Sequence, residues 1–174
     1  MSRPTTSSGW IDALGLEVLP GESGWFATVH RSSLVVDDHG EPVAASSSIY
    51  YLLDAERPIN LWHWLAGDDV HVLVDGGPVE YVILPPEGAA QRVVLGLDVD
   101  AGQVPLVAVP AGSYKALRLL DPEGHALMGS VVTPAWAPER VRIESPPVER
   151  LTAARAQADW LTDDLVERLG REPS

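Results

Sequence analysis

His63-Trp64-Leu65-Ala66-Gly67-Asp68-Asp69-Val70-His71-Val72-Leu73-Val74-Asp75-Gly76 holds the end of one short apolar run, Asn60–Leu65, then a turn, then a second run, Val70–Val74. The Gly76-Gly77-Pro78 triplet that follows signals a hairpin into a third run, Val79–Leu84. The same pattern extends in both directions. Runs rich in Val, Ile, Leu and Tyr stand at Trp25–Val29, Ser47–Leu53, Arg92–Leu97, Val104–Val109, Lys115–Leu120 and Ala126–Val132, separated by turn residues. About nine strands spaced roughly ten residues apart predict an all-β sandwich or barrel rather than βαβ units.

The flanks read differently. Residues 1–9 are polar and are expected to be loose. Trp10, Ile11 and Leu14 then fall at helical spacing with Gly15 behind them as a C-cap, which predicts a short helix. After Ser145-Pro146-Pro147, the residues Leu151, Ala154, Ala158, Leu161, Leu165 and Leu169 recur at three- and four-residue steps. That stripe predicts an amphipathic helical extension over 145–174, broken near Thr162-Asp163, where the threonine can cap a second segment. Residues 10–144 make up the β domain. Trp10, Trp25 and Trp62 are expected in the core, and Trp136 and Trp160 over surface seams.

Composition removes several classes of function. Hydrophobic residues make up 45% and charged residues 21%, as in an ordinary globular chain. A formal charge of −13 with no basic stripe argues against nucleic acid as a partner. The chain has no cysteine, so disulfides, thiolate metal sites and a cysteine nucleophile are excluded. Residues 1–9 lack the apolar segment of a signal peptide, and no long apolar run reads as a membrane span, so a cytoplasmic protein is expected. No Gly-rich phosphate loop, G-x-S-x-G or H-E-x-x-H is present.

The opening stretch and a later one, Gly102 to Lys115 with its Pro110-Ala111-Gly112 turn, together resemble the two cupin motifs: a histidine, an acid six residues on, a glycine seven residues after that, and a Pro-x-Gly turn before a later strand. The chain is more specifically similar to the DUF985, or cupin-5, family. Leu14-Gly15-Leu16-Glu17, Gly24-Trp25-Phe26, His30-Arg31-Ser32, Ser48-Ile49-Tyr50-Tyr51-Leu52-Leu53, Trp62-His63 and Val109-Pro110-Ala111-Gly112 match its blocks in order, over roughly residues 10–140. The resemblance implies a cupin jelly-roll β-barrel related to deoxysugar epimerases, a homodimer, and a small-molecule ligand held between the sheets.

The chain also departs from that pattern. Metal-binding cupins use His-x-His, a glutamate and a later histidine, and these positions hold Leu61, His63, Asp69 and Lys115 here. A protonated lysine repels a divalent cation, so no metal cofactor is expected. The residual way to hold iron(II) would be a face of His63, Asp69 and His71. The first-strand arginine of the family is Ala27.

Strand parity places the remaining candidates. If Asp69 points inward, as the motif implies, so do His71 and Leu73, while Val70, Val72 and Val74 face the other way. Both faces of 70–74 are then apolar apart from His71, which predicts a strand buried on both sides. His63 shares a face with Leu61 and Leu65, and Lys115 with Leu117. His63, Asp69 and Lys115 are therefore the candidate catalytic residues: His63 as general base, Asp69 beside it, and Lys115 as electrostatic partner. His71, Leu61 and Leu117 are candidate substrate contacts, with Trp64 and either Tyr50 or Tyr51, between which parity does not choose. Arg31 reads equally as an anion contact or a structural ion pair.

The function expected from this set is a metal-independent isomerase, epimerase or cyclase of a small sugar-like or polyketide-like substrate in natural-product metabolism. The alternatives are a non-catalytic cupin that only binds a small ligand and, on weaker grounds, a metal-dependent oxygenase.

Overall fold

The computed structural model describes residues 3–171. In chain order the elements are α1 (Ser7–Leu14), β1 (Glu17–Val18), β2 (Trp25–Arg31), β3 (Val35–Asp38), β4 (Glu41–Ala44), β5 (Ser47–Asp54), β6 (Ile59–Leu65), β7 (Asp68–Gly76), β8 (Val79–Leu84), β9 (Gln91–Leu95), β10 (Leu106–Val109), β11 (Tyr114–Leu119), β12 (His125–Thr133), β13 (Val141–Ile143), α2 (Val148–Arg155) and α3 (Asp163–Arg168). The nine expected strands are present. Four short ones, β1, β3, β4 and β13, add to them, and these are too brief or too polar to show a run.

Two sheets pack face to face, as the jelly-roll expectation requires. One has the order β1-β2-β5-β12-β7-β10 and the other β13-β6-β11-β8-β9, while β3 and β4 form a separate ribbon. The glycine turn at Gly76-Gly77 does not close a hairpin. It carries the chain from β7 in the first sheet to β8 in the second. Turn chemistry predicts the reversal but not the partner. Gly76 is required there: its φ is 71°, and a Cβ would lie 2.0 Å from the His125 carbonyl oxygen.

One end of the barrel is filled. Leu53, Val79, Tyr81, Leu95, Leu117 and Met128 interdigitate there with no measurable exposure. The outer face of the six-stranded sheet is only partly covered, with α1 over Leu52 and Leu127 and the stretch around β7 left open. Val72 and Val74 on β7 are 41% and 45% exposed, so β7 is not buried on both sides as its composition suggested.

The helices cover other surfaces. Thr6 caps α1 by accepting from the Gly9 amide at 3.2 Å, and Gly15 closes the helix at φ 63°. The helix therefore starts three residues before Trp10. Trp10 Nε1 donates to Asp75 Oδ2 at 2.7 Å, which pins α1 to β7. At the other end, Thr162 caps α3 by accepting from the Leu165 amide, at the break the sequence pattern predicts. Leu151, Ala154, Leu161, Leu165 and Leu169 pack on Trp62, Val82, Leu84 and Ala116, so the extension covers the outer face of the five-stranded sheet of its own barrel. Residues 1–2 and 172–174, the outer ends of the expected loose N-terminus and helical extension, lie outside the described residues.

Candidate functional site

A cavity of about 530 Å³ occupies the end of the barrel opposite the packed core. Two adjacent strands supply its floor from one sheet: His63 on β6 sits opposite Lys115 on β11. From the other sheet β7 supplies Asp69 and His71, and β12 supplies Ser130, the register partner of His71. The walls are apolar, with Leu19, Phe26, Ile49, Leu65, Val132 and Ile143.

Asp69 is the hub of this floor. Its Oδ2 accepts from Lys115 Nζ and from His71 Nε2, the latter at 2.9 Å, and its Oδ1 accepts from Ser130 Oγ at 2.9 Å. Burial drives the His71 pKa down to about 4, so the ring is neutral. Its Nε2–H donates to Asp69, and its Nδ1 accepts from the Tyr81 hydroxyl at 2.6 Å. Burial also pulls Lys115 down to about 7, opposed by the charge of Glu22 and, on physical grounds, by Asp69 in direct contact.

His63 stands apart from Asp69. Its Nδ1 lies 2.7 Å from the Leu61 carbonyl oxygen, which can only accept, so Nδ1 carries the proton. Nε2 therefore presents a lone pair to the cavity, 3.7 Å from Glu22 Oε2. Burial lowers the His63 pKa to about 4, partly offset by Glu22. The carboxylate beside His63 is thus Glu22 and not Asp69, whose oxygens are already taken. Asn60 Nδ2 donates to the Glu22 carbonyl at 3.1 Å and lies 3.4 Å from its carboxylate, holding the loop in place.

A β-bulge explains the largest parity error. Lys115 pairs with His63 but Leu117 pairs with Asn60, so Leu61 and Trp62 together face Ala116 alone. The bulge brings Asn60 and His63 onto the same inner face and turns Leu61 away from the cavity wall. Leu117 faces inward but is sealed in the packed end. Trp64 lies on the outer face, where its Nε1 donates to the Gly112 carbonyl at 2.9 Å and Arg142 stacks on its ring at 4.0 Å.

Of the two tyrosines, Tyr51 lines the cavity and donates to the Ser23 carbonyl at 2.9 Å, while Tyr50 packs outside near Trp10 and Trp25. Arg31 lines the cavity, and its Nη1 donates to the Trp136 carbonyl at 2.8 Å. Trp136 borders the same space rather than covering a distant seam.

Glu22 and Asn60 were missed. Glu22 lies in a loop without period. The one local signal is the bracket Gly21-Glu22-Ser23-Gly24, where Gly21, Ser23 and Gly24 all have positive φ and fold the carboxylate inward.

The residues present do not fit the divalent metal that cupins commonly hold. Among the described residues no group of three or more His, Asp or Glu side chains is placed to bind one. The Lys115 ammonium occupies Asp69, and both nitrogens of His71 are taken by Asp69 and Tyr81, so of the expected face of His63, Asp69 and His71 only His63 keeps a free lone pair and the face does not assemble.

Comparison with known proteins agrees with the architecture. The family described as "Cupin superfamily (DUF985)" matches residues 8–143. An uncharacterized protein of Saccharomyces cerevisiae, YML079W, is 34% identical over 129 residues, covering 66% of this chain and 64% of the yeast protein. A hypothetical protein from Leishmania major superposes with a TM-score of 0.80 at 22% identity, over 97% of this chain and all of the other. A Shewanella oneidensis protein gives 0.78 at 25% identity, over 98% and 100%. Among the described residues no helix is long and apolar enough to cross a membrane.

Proposed function

The chain belongs to the Cupin_5 (DUF985) family of the cupin superfamily, and from that premise we propose that it is a metal-independent isomerase, epimerase or cyclase of a small sugar-like or polyketide-like molecule. The observation that carries this reading is the His63 imidazole, with Nδ1 fixed on a carbonyl and Nε2 open to the cavity beside Glu22. An acidic hydrogen of a substrate held in the cavity would be presented to Nε2 with the Glu22 carboxylate alongside. When Nε2 takes it, the imidazolium forms next to a carboxylate that stabilises it.

A base whose pKa is about 4 is weak, so the hydrogen it removes must be acidified. Lys115 supplies that: its Nζ faces the same cavity and favours negative charge on a neighbouring oxygen as an enolate or alkoxide forms. Asp69 holds the lysine in place. The apolar walls strengthen each of these charges and suit a substrate with an apolar body, which a cyclase would fold into a reactive shape.

The test is hydrogen exchange into carbonyl probes. In deuterated water the protein should catalyse exchange at carbon next to the carbonyl in at least one of a panel of ketoses and small cyclic ketones, followed by NMR. Binding of these probes without exchange would reduce the protein to a ligand-binding module.

The same reading includes a homodimer. The exposed stripe of Val72, Val74, Leu106 and Val131 supports it, since Leu106 is the register partner of Val72 and the patch is continuous across strands. The C-terminal helices are committed to their own barrel and do not serve this purpose. Light scattering at micromolar concentration should give twice the 18.7 kDa chain mass, and a concentration-independent monomer would remove the dimer.

A further inference from the structure

Of the twelve basic residues in the chain, eleven are arginine and one is lysine, and that lysine is Lys115. It is 2% exposed and lines the cavity. Lysine and arginine are not equivalent here. Arginine stays protonated in any protein environment, whereas an ε-amine in an apolar pocket can shed its proton and become a nucleophile. The only side-chain amine of the molecule is thus placed where that can happen.

We propose that Lys115 is a covalent nucleophile, whose Nζ forms an imine with the carbonyl carbon of an aldehyde or ketone substrate held in the barrel. This rests on the acid–base reading above and names its substrate class. Asp69 from β7, in contact with Nζ, supplies the necessary proton transfers, and His71 from β7, His63 from β6, Glu22 from the loop before β2, Tyr51 and Ser130 line the same cavity, with Tyr81 behind His71 as its hydrogen-bond partner. Asp69, in contact with Nζ, accepts the ammonium proton. The nitrogen lone pair forms the C–N bond while the carbonyl π pair moves to oxygen, and Asp69 relays a proton from nitrogen to that oxygen to give a carbinolamine. The C–O bond then breaks, and the hydroxyl leaves as water with the proton held by Asp69, so one ammonium and one carbonyl become one iminium and one water.

The iminium acidifies the adjacent C–H far more than a neutral carbonyl does. His63 Nε2 can then remove that hydrogen despite its weakness as a base, and the C–H pair flows into an enamine. Return of the proton to the other face of the same carbon gives the epimer, and where a further C=C is conjugated with the enamine, return at its far end gives the isomer; both restore the iminium. Water adds back to restore the amine and the carbonyl, and nothing is oxidised or reduced. Burial of Lys115, which brings its pKa to about 7, provides free amine near neutral pH.

The single lysine makes the test direct. Native protein is treated with butanal and sodium cyanoborohydride, which reduces an imine to a stable butylamine, and peptides are weighed by mass spectrometry. Only Lys115 and the α-amino group can react, so the latter is an internal standard. Lys115 should be labelled about threefold faster than the α-amino group at pH 7, because a larger fraction of it is free amine. Its labelling should rise as pH passes through about 7. Labelling of the α-amino group alone, with Lys115 reacting only after unfolding in urea, would overturn the proposal.

Ketone exchange separates this proposal from the reading beneath it. Exchange that survives Lys115→Arg but is lost in His63→Ala keeps the acid–base site and removes the imine. Labelling of Lys115 in a wild type that exchanges no ketone keeps the imine and removes the isomerase.

Discussion

Asp69 and Glu80 are both 2% exposed, both hold two basic partners, and lie eleven residues apart on consecutive strands. Glu80 is on the outer face of the five-stranded sheet, where Arg92 Nε and Arg118 Nε each donate to it at 2.5 Å. Those arginines run out to water, with side chains 46% and 26% exposed, and Arg92 lies over the Trp160 ring at 6.0 Å. The partners of Asp69 are sealed: the Lys115 and His71 side chains are 3% and 5% exposed. Burial and partner count therefore do not distinguish a site from a brace. What distinguishes them is whether the partners can change protonation and whether they face a cavity.

The largest effect should fall on catalysis. His63→Ala should slow exchange of the carbonyl probes by on the order of 10²–10⁴, while Arg118→Ala at the brace should leave the rate unchanged in the same NMR assay. Equal losses in both would erase the contrast.

Stability comes next. Asp69→Asn leaves the Lys115 ammonium buried without its carboxylate; because a lysine with a pKa of about 7 can escape by losing its proton, the charge-dependent cost near pH 6 should be about 1.4 kcal/mol. Above its folded pKa of about 7 the lysine becomes neutral, no unpaired charge remains, and the cost should shrink by pH 9. Glu80→Gln strands only arginines, which keep their charge at both pH values and reach solvent, so its smaller cost should not change. Urea denaturation of both variants at pH 6 and 9 measures the difference.

Acid should act through the cavity cluster. His63 and His71 each have a folded pKa of about 4 against 6.5. Below pH 6.5 the unfolded chain binds these protons first, so stability falls as pH drops towards 4, by about 1.4 kcal/mol per histidine per pH unit. The penalty is absent above pH 6.5. Thermal unfolding at pH 6.5 and 5.5 should show the decline, and His71→Gln should make it shallower; an unchanged slope in that variant would break the assignment. The smallest effect is Arg92→Ala, whose half-exposed guanidinium should be worth less than about 1 kcal/mol in urea denaturation.

Period-two patterning was enough to read the strands, and with the motif spacing it placed His63, Asp69, His71 and Lys115 on one cavity. It failed where the backbone leaves the regular ladder. The bulge in β6 adds a residue that no apolar pattern announces, so Leu61 was placed inside and Asn60 overlooked. Glu22 sits on a loop, where inward direction comes from left-handed backbone rather than from alternation. The outer valines of β7 read as buried because composition reports affinity for an apolar neighbour, not whether one is present in the monomer.

The bulge also ties the order of synthesis to the completion of the site. The Leu61 amide donates to the Glu22 carbonyl at 2.9 Å, and the Trp62 amide donates to the Leu169 carbonyl at 3.0 Å. Trp62 Nε1 reaches the Val166 carbonyl, 104 positions later in the chain. Buried backbone donors must find acceptors, so β6 is not finished when its sheet neighbours have emerged from the ribosome. Its last acceptor arrives with α3, whereas the Glu22 carbonyl that serves Leu61 is made before β6 itself. Both polar donors of Trp62 therefore stay without these acceptors until α3 has been made.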